Sequence, residues 1–385
     1  MNSTNQGKLL AKLLGCVIRG ESAKHLSLDK DQWEKLVKLA KRHKVANTLA
    51  CVLPLLGENN CPNEELSQEL EAILFQQTMV SSNQLFAAQE LQQAFEEKEL
   101  YSLCMKGIHT KLRYPQDNMR SMGDLDILCK AEQDALVKRA MEDLGYGGFQ
   151  EGRTHDHYSR PPYIAIEMHR QLVSVRSDFD TYCQSVWERS QPLPGCQFAY
   201  AMTVEDEYVY NLIHMVEHFK KGGVGLRFVM DIYVYETQVE MDKSKVLQEL
   251  EKLSLTEFYR NVVKLARHLF EKGETDPLTE ELTAFIFSGG VYGSRDNAQA
   301  LSVSKNGRVG FVLRTCFPGL RDMCSMFPWL AKFPVLLPLT WLIRAVRSLL
   351  FRSRNVKGQF QAAAKGDKEL GSQLRQFYRD CGLDI

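Results

Sequence analysis

An α+β fold, a small mixed β-sheet core flanked by N-terminal and C-terminal helical regions, is predicted by three features of the sequence. Residues 8–98 carry helical periodicity, short apolar or alternating runs separated by turns occupy about 100–171, and the helical pattern returns beyond Val204. The expected regions are 1–98, helical; 99–200, an α/β core; and 201–385, helical with an apolar and basic segment at 327–357.

In the first region, DKDQWEKLVKLAKRHKVANTLACVL sets Trp33, Leu36, Leu39 and Ala40 at helix spacing behind an Asp-rich start. GENNCP is a turn cluster. From about Asn63 the chain runs to Leu100 without Gly or Pro, which predicts one long helix. YSLCM then reads as a short buried strand, Lys106-Gly107 as a turn and IHTKLRY as a short helix. After the PQDNMRSMG loop, DLDILCK predicts a strand and AEQDALVKRAMEDLGY a helix, ended by Gly145, Gly147 and Gly148. PPYIAIEMHRQL offers another strand, on which Glu167 and His169 share a face. Past the PLPG turn, EDEYVYNLIHMVEHFKK and LRFVMDIYVYETQ are helical.

Composition narrows the function classes. The 48 basic and 48 acidic side chains cancel, so no global positive field draws the protein to polymeric nucleic acid. Ten cysteines without a C-x-x-C pair read as free thiols in a reducing compartment. The opening MNSTNQGKLLAKLLGCVIRGES lacks the apolar core and cleavage site of a signal peptide, so a cytoplasmic location is expected. The apolar stretch from Phe327 is interrupted by Lys332, Pro334 and Pro338, too broken for a membrane span. Trp341, Leu342, Leu349, Leu350 and Phe351 alternate there with Arg344, Arg347, Arg352, Arg354 and Lys357, which suits an anionic membrane face or a partner groove. Peripheral membrane contact through 333–357 is one expectation; a packed helix with snorkelling arginines is the other.

Asp124 and Asp126 are the first candidates for chemistry. On a strand, residues i and i+2 project from the same face roughly 7 Å apart, so both carboxylates can converge on one cation. Phosphoryl and nucleotidyl transfer use such clusters, because Mg²⁺ takes hard oxygen ligands and two ions about 3.5–4 Å apart stabilise the attacking and leaving oxygens. Leu125, Ile127 and Leu128 make the strand half-buried, where paired charges are costly unless a cation compensates them. The bland alternative puts both aspartates at a solvated strand start or at the cap of the next helix.

The run KG(x)12RSMGDLDILCK(x)13LGY, followed by IEMHRQL, LIHMVEHF and LRFVMDIY, resembles the uncharacterised nucleotidyltransferase family, related to the polymerase-β-like superfamily. The resemblance implies a strand-turn-helix element that holds phosphates, a D-x-D strand and a third carboxylate on a neighbouring strand. It implies Asp124, Asp126 and Glu167 as ligands of Mg²⁺ (or Mn²⁺). It further implies transfer of a nucleoside monophosphate from a nucleoside triphosphate to a hydroxyl on a small molecule, sugar or protein. Where the wider superfamily opens its helix with Gly-Ser, this chain has Lys106-Gly107. Gly107 permits close backbone approach and Lys106 adds a positive charge, so both are candidate triphosphate contacts. A catalytically silent nucleotide- or partner-binding protein is the alternative.

Four further features leave choices open. Arg120 can meet a triphosphate oxygen or close a loop salt bridge. His169 can bind phosphate, carry a proton or hold its strand by hydrogen bonding, the last being favoured. Arg227 and Asp231, spaced i, i+4, predict a helix ion pair. His214, Glu217 and His218 form an H-x-x-E-H helix that in another fold ligates zinc, the basis of a rival zinc-hydrolase reading.

Overall fold

A computed structural model describes residues 3–24, 26, 28–57, 60–152, 155–162, 164–173, 178–294, 296–301, 304, 316–351 and 368–384. Its residues fall into two compact units, one of 1–216 with 224–291 and one of 217–223 with 292–385.

The first unit opens with helices α1 (Ser3–Arg19), α2 (Lys30–Arg42) and α3 (Ala46–Ala50) and the long α4 (Glu64–Glu97). Asp29 caps α2 in a reciprocal capping box with Gln32, and Asn63 caps α4 through the Leu66 N–H, so both helices begin at their polar sequence signals. Trp33, Leu36 and Ala40 are buried as their spacing predicts. The sheet strands follow: β1 (Ser102–Cys104), α5 (Gly107–Leu112), β2 (Leu125–Cys129), α6 (Asp134–Asp143), β3 (Gly147–Gln150), β4 (His155–Arg160) and β5 (Ile164–His169). Two short helices, α7 (Asp180–Gln184) and α8 (Val186–Arg189), lead to β6 (Gln191–Pro192) and β7 (Ala199–Ala201). The sheet is seven-stranded and mixed, in the order β3-β4-β5-β2-β1-β7-β6. Helices α9 (Val204–Phe219), α10 (Leu226–Gln238), α11 (Lys243–Lys252), α12 (Thr256–Phe270) and α13 (Pro277–Ser288) complete the α+β arrangement.

Alternation decides which side of the sheet is the core. Leu125 and Ile127 of β2, Ile166 and Met168 of β5, and Tyr158 of β4 join Leu91 and Phe95 of α4 and Val137 and Met141 of α6 in one apolar cluster. With a side-chain period of two, the intervening residues of these strands face the other way. Burying the apolar set therefore fixes the polar set on a single opposite face. The α1 helix packs tightly on α12: a Cβ at Gly15 would lie 2.1 Å from the Phe270 carbonyl oxygen, so only glycine allows that approach.

His43 ties α2 to α10. It is fully buried, its Nδ1 accepts the Leu226 N–H at 3.2 Å, and its ring meets Phe287 edge-on. Burial, helped by Arg42, lowers its pKa to about 4. The unfolded chain therefore takes up this proton first, so the stability His43 provides is complete above about pH 6.5 and is lost as the pH falls toward 4, about 3 kcal/mol in all. Urea unfolding at pH 7 and pH 5 is expected to show a loss of about 2 kcal/mol from this group, and a His43→Gln variant a correspondingly shallower pH dependence.

In the second unit, helices span Leu320–Met326, Leu337–Phe351 and Lys368–Asp380. Phe333, Val335, Leu339 and Leu342 are exposed. Arg352, Arg354 and Lys357 lie outside the described residues. No helix among the described residues is long and apolar enough to cross a membrane. None of the ten cysteines is in a disulfide.

Candidate functional site

The polar face of the sheet gathers its chemistry by strand register. β2 and β5 are parallel neighbours, with Asp126 opposite Glu167 and Leu128 opposite His169. β4 runs antiparallel to β5 and sets His157 beside Glu167 and His155 beside His169. Asp124, immediately before β2, shares the face of Asp126. Lys106 reaches the same place from the turn after β1, where it adopts a left-handed φ of 42°. Gly107 follows because a Cβ there would lie 2.5 Å from the Met122 sulfur.

Asp126 is the hub. Its Oδ1 accepts from Lys106 Nζ at 3.1 Å and lies 2.9 Å from His169 Nε2, which is itself 3.2 Å from Glu167 Oε2. Burial alone would raise the Asp126 carboxyl, but Lys106 and His169 outweigh it and hold the group well below the usual range. Burial opposes His169 too, yet its bonds to Asp126 and Glu167 push its pKa up. Glu167 resists burial through the same His169 bond and is lowered. Asp124 behaves differently. Burial, with Asp126 and Glu167 alongside, pushes it up to about 6. The cluster thus carries one carboxylate that the local cations do not neutralise.

A narrow pocket adjoins the turn, lined by Cys104, Lys106, His109, Glu207, Tyr210 and Asn211. Glu207 of α9 accepts from Arg113 at 2.9 Å, and Asn211 donates to Thr110 at 3.1 Å, so α9 is pinned against α5 beside the carboxylates. Of this wall only Lys106 was anticipated from the sequence; the Tyr210 hydroxyl donates to the Leu172 carbonyl at 3.1 Å. His155 and His157 were missed as well. Their signal is the alternation HDHYSR, which mirrors the E-x-H of the next strand.

One expectation is corrected. The Arg120 guanidinium is buried and forked onto Asp231, Nε to Oδ1 and Nη2 to Oδ2, both at 2.8 Å, while its Nη1 donates to the Gly107 carbonyl at 3.3 Å. The loop salt bridge is the arrangement adopted, and it displaces the expected Arg227–Asp231 helix pair. Asp231 also accepts from the Tyr114 hydroxyl at 2.7 Å, while Arg227 donates to the Ser121 carbonyl. A buried carboxylate gains more from a bidentate guanidinium than from a single contact one turn away.

The histidines of the H-x-x-E-H helix each meet an aromatic ring. His214 lies against the Phe228 ring and His218 stacks on Tyr292. Among the described residues, the metal-ligating side chains that converge are His155, Glu167 and His169.

A family model described as an uncharacterised nucleotidyltransferase matches residues 29–271. That span holds α2 to α12, and with them every residue of the carboxylate and histidine cluster. No curated protein and no solved structure matches the chain.

Proposed function

Because the chain belongs to the uncharacterised nucleotidyltransferase family, we propose that it transfers a nucleoside monophosphate from a nucleoside triphosphate to an acceptor hydroxyl. The in-register pairing of Asp126 with Glu167, with Asp124 on the same face, carries this reading. An acceptor oxygen forms a bond to the α-phosphorus as the bond to pyrophosphate breaks. The donor set fits Mg²⁺ or Mn²⁺: three carboxylates supply hard oxygens, and burial, with Asp126 and Glu167 alongside, raises the pKa of Asp124. Asp124, Asp126 and Glu167 would hold the ions, whose chemistry is to offset charge on the attacking and leaving oxygens. Lys106 and the Gly107 backbone flank the cluster and would orient the triphosphate, with the α9 wall available to an acceptor. That acceptor is a small molecule, a sugar or a protein.

One observation favours a second reading. Lys106 already neutralises Asp126, so a lysine occupies part of a metal ligand's coordination, which suits a nucleotide-binding protein without turnover.

Purified protein incubated with α-labelled nucleoside triphosphates, Mg²⁺ or Mn²⁺ and cell extract separates the two. Transfer is expected with the native protein and a loss of roughly 10³-fold in Glu167→Gln and Asp126→Asn. Metal-dependent nucleotide binding with no label transferred from any of the four triphosphates would sink the transferase reading.

A further inference from the structure

Strand β4 brings to this face a donor type that magnesium does not favour. His155 Nε2 lies 3.5 Å from Glu167 Oε2, and His169 Nε2 lies 3.2 Å from that same oxygen. The ligating atoms of these three side chains all lie within 4.8 Å of one another, and the two imidazole rings stand 4.6 Å apart. We propose that His155, His169 and Glu167 form a site for one divalent transition ion of the zinc and cobalt class, distinct in chemistry from the hard-oxygen position at Asp124 and Asp126.

The spacing supports this assignment. A four-coordinate ion held 2.0–2.2 Å from nitrogen and oxygen donors sets neighbouring donors about 3.3–3.6 Å apart. Both contacts to Glu167 Oε2 lie close to that separation before any ion arrives. Two imidazoles thus converge on one carboxylate oxygen. Imidazole nitrogen suits zinc-class ions, while Mg²⁺ prefers oxygen and keeps its waters. The fold also provides a way in, because His155 is about a quarter exposed while His169 is buried, with side-chain exposures of 26% and 7%.

Three protein donors leave a coordination position for water or a phosphate oxygen. Binding requires neutral imidazoles, so any proton they carry leaves to solvent as the ion enters. His157, whose Nδ1 is 3.6 Å from Glu167 Oε1, lies on the outer side of the same carboxylate and orients it. The inference rests on the transferase reading only in that Glu167 serves both positions.

Cobalt alone tests it. Co²⁺ titrated into the full chain, without nucleotide, is expected to produce a visible d–d absorption band that saturates at one equivalent. A hundredfold excess of Mg²⁺ should leave the band in place, and one equivalent of Zn²⁺ should remove it. His155→Ala and His169→Gln should lose the band with a native circular dichroism spectrum, whereas Asp124→Asn should keep it. Absence of the band in the native protein, or its survival in folded His155→Ala, overturns the proposal. The transferase assay reads out separately: transfer with Mg²⁺ and no cobalt band rejects this site alone, and a cobalt band without transfer rejects the transferase reading alone.

Discussion

Replacing Asp124 by asparagine is expected to make the metal-free protein more stable while lowering nucleotidyl transfer by roughly 10³-fold. The two effects have one cause. Burial, with Asp126 and Glu167 as neighbours, raises the Asp124 carboxyl to about 6. A folded-state value above the unfolded one means that the native protein favours the protonated form. The stability this group provides is therefore present below about pH 4 and is lost as the pH rises through 6. Near pH 7.5 the ionised carboxylate costs about 2–3 kcal/mol, which asparagine removes, equivalent to a melting temperature higher by roughly 5 °C. Thermal melts at pH 7.5 and pH 5 check the sign: the advantage of the variant should shrink at the lower pH. Mg²⁺ should raise the melting temperature of the native chain and leave that of the variant nearly unchanged. A variant that melts below the native protein at pH 7.5 would show that Asp124 is held by partners rather than strained by its neighbours.

The second large effect lies away from the carboxylates. Asp231→Ala is expected to destabilise the first unit by about 3–5 kcal/mol, because it leaves the Arg120 guanidinium buried without its counter-ion. Arg120, Asp231 and Tyr114 are each less than a tenth exposed, so water cannot replace the lost bonds. Urea unfolding measures the loss. Arg120→Lys should fall between the native protein and Asp231→Ala, since an ammonium keeps the charge but not the fork. Its KM for the nucleoside triphosphate should match that of the native protein. A raised KM with unchanged stability would return Arg120 to the triphosphate contact that its sequence position suggested.

Much of the fold was legible because local rules and the tertiary solution agree. The capping signals at Asp29 and Asn63 begin α2 and α4 where the polar residues stand. The alternation in DLDIL and IAIEM gives strands whose apolar residues enter the core, which forces Asp126 and Glu167 onto the other face. The edge strands were not legible. Four-residue GGFQ and two-residue QP carry too little pattern to separate strand from loop, and they owe their conformation to pairing with β4 and β7.

The sequence by itself determined strands β2 and β5 and the alternation that sets Asp126 and Glu167 apart from their apolar neighbours, because side-chain period acts over a few residues and can be read along the chain. Only the tertiary structure decided the partners: that Arg120 turns to Asp231, 111 residues away, that Lys106 spends its charge on Asp126, and that His155 stands opposite His169. Each is a choice among several nearby groups, settled by burial and strand register. Both act across the chain, where spacing carries no information.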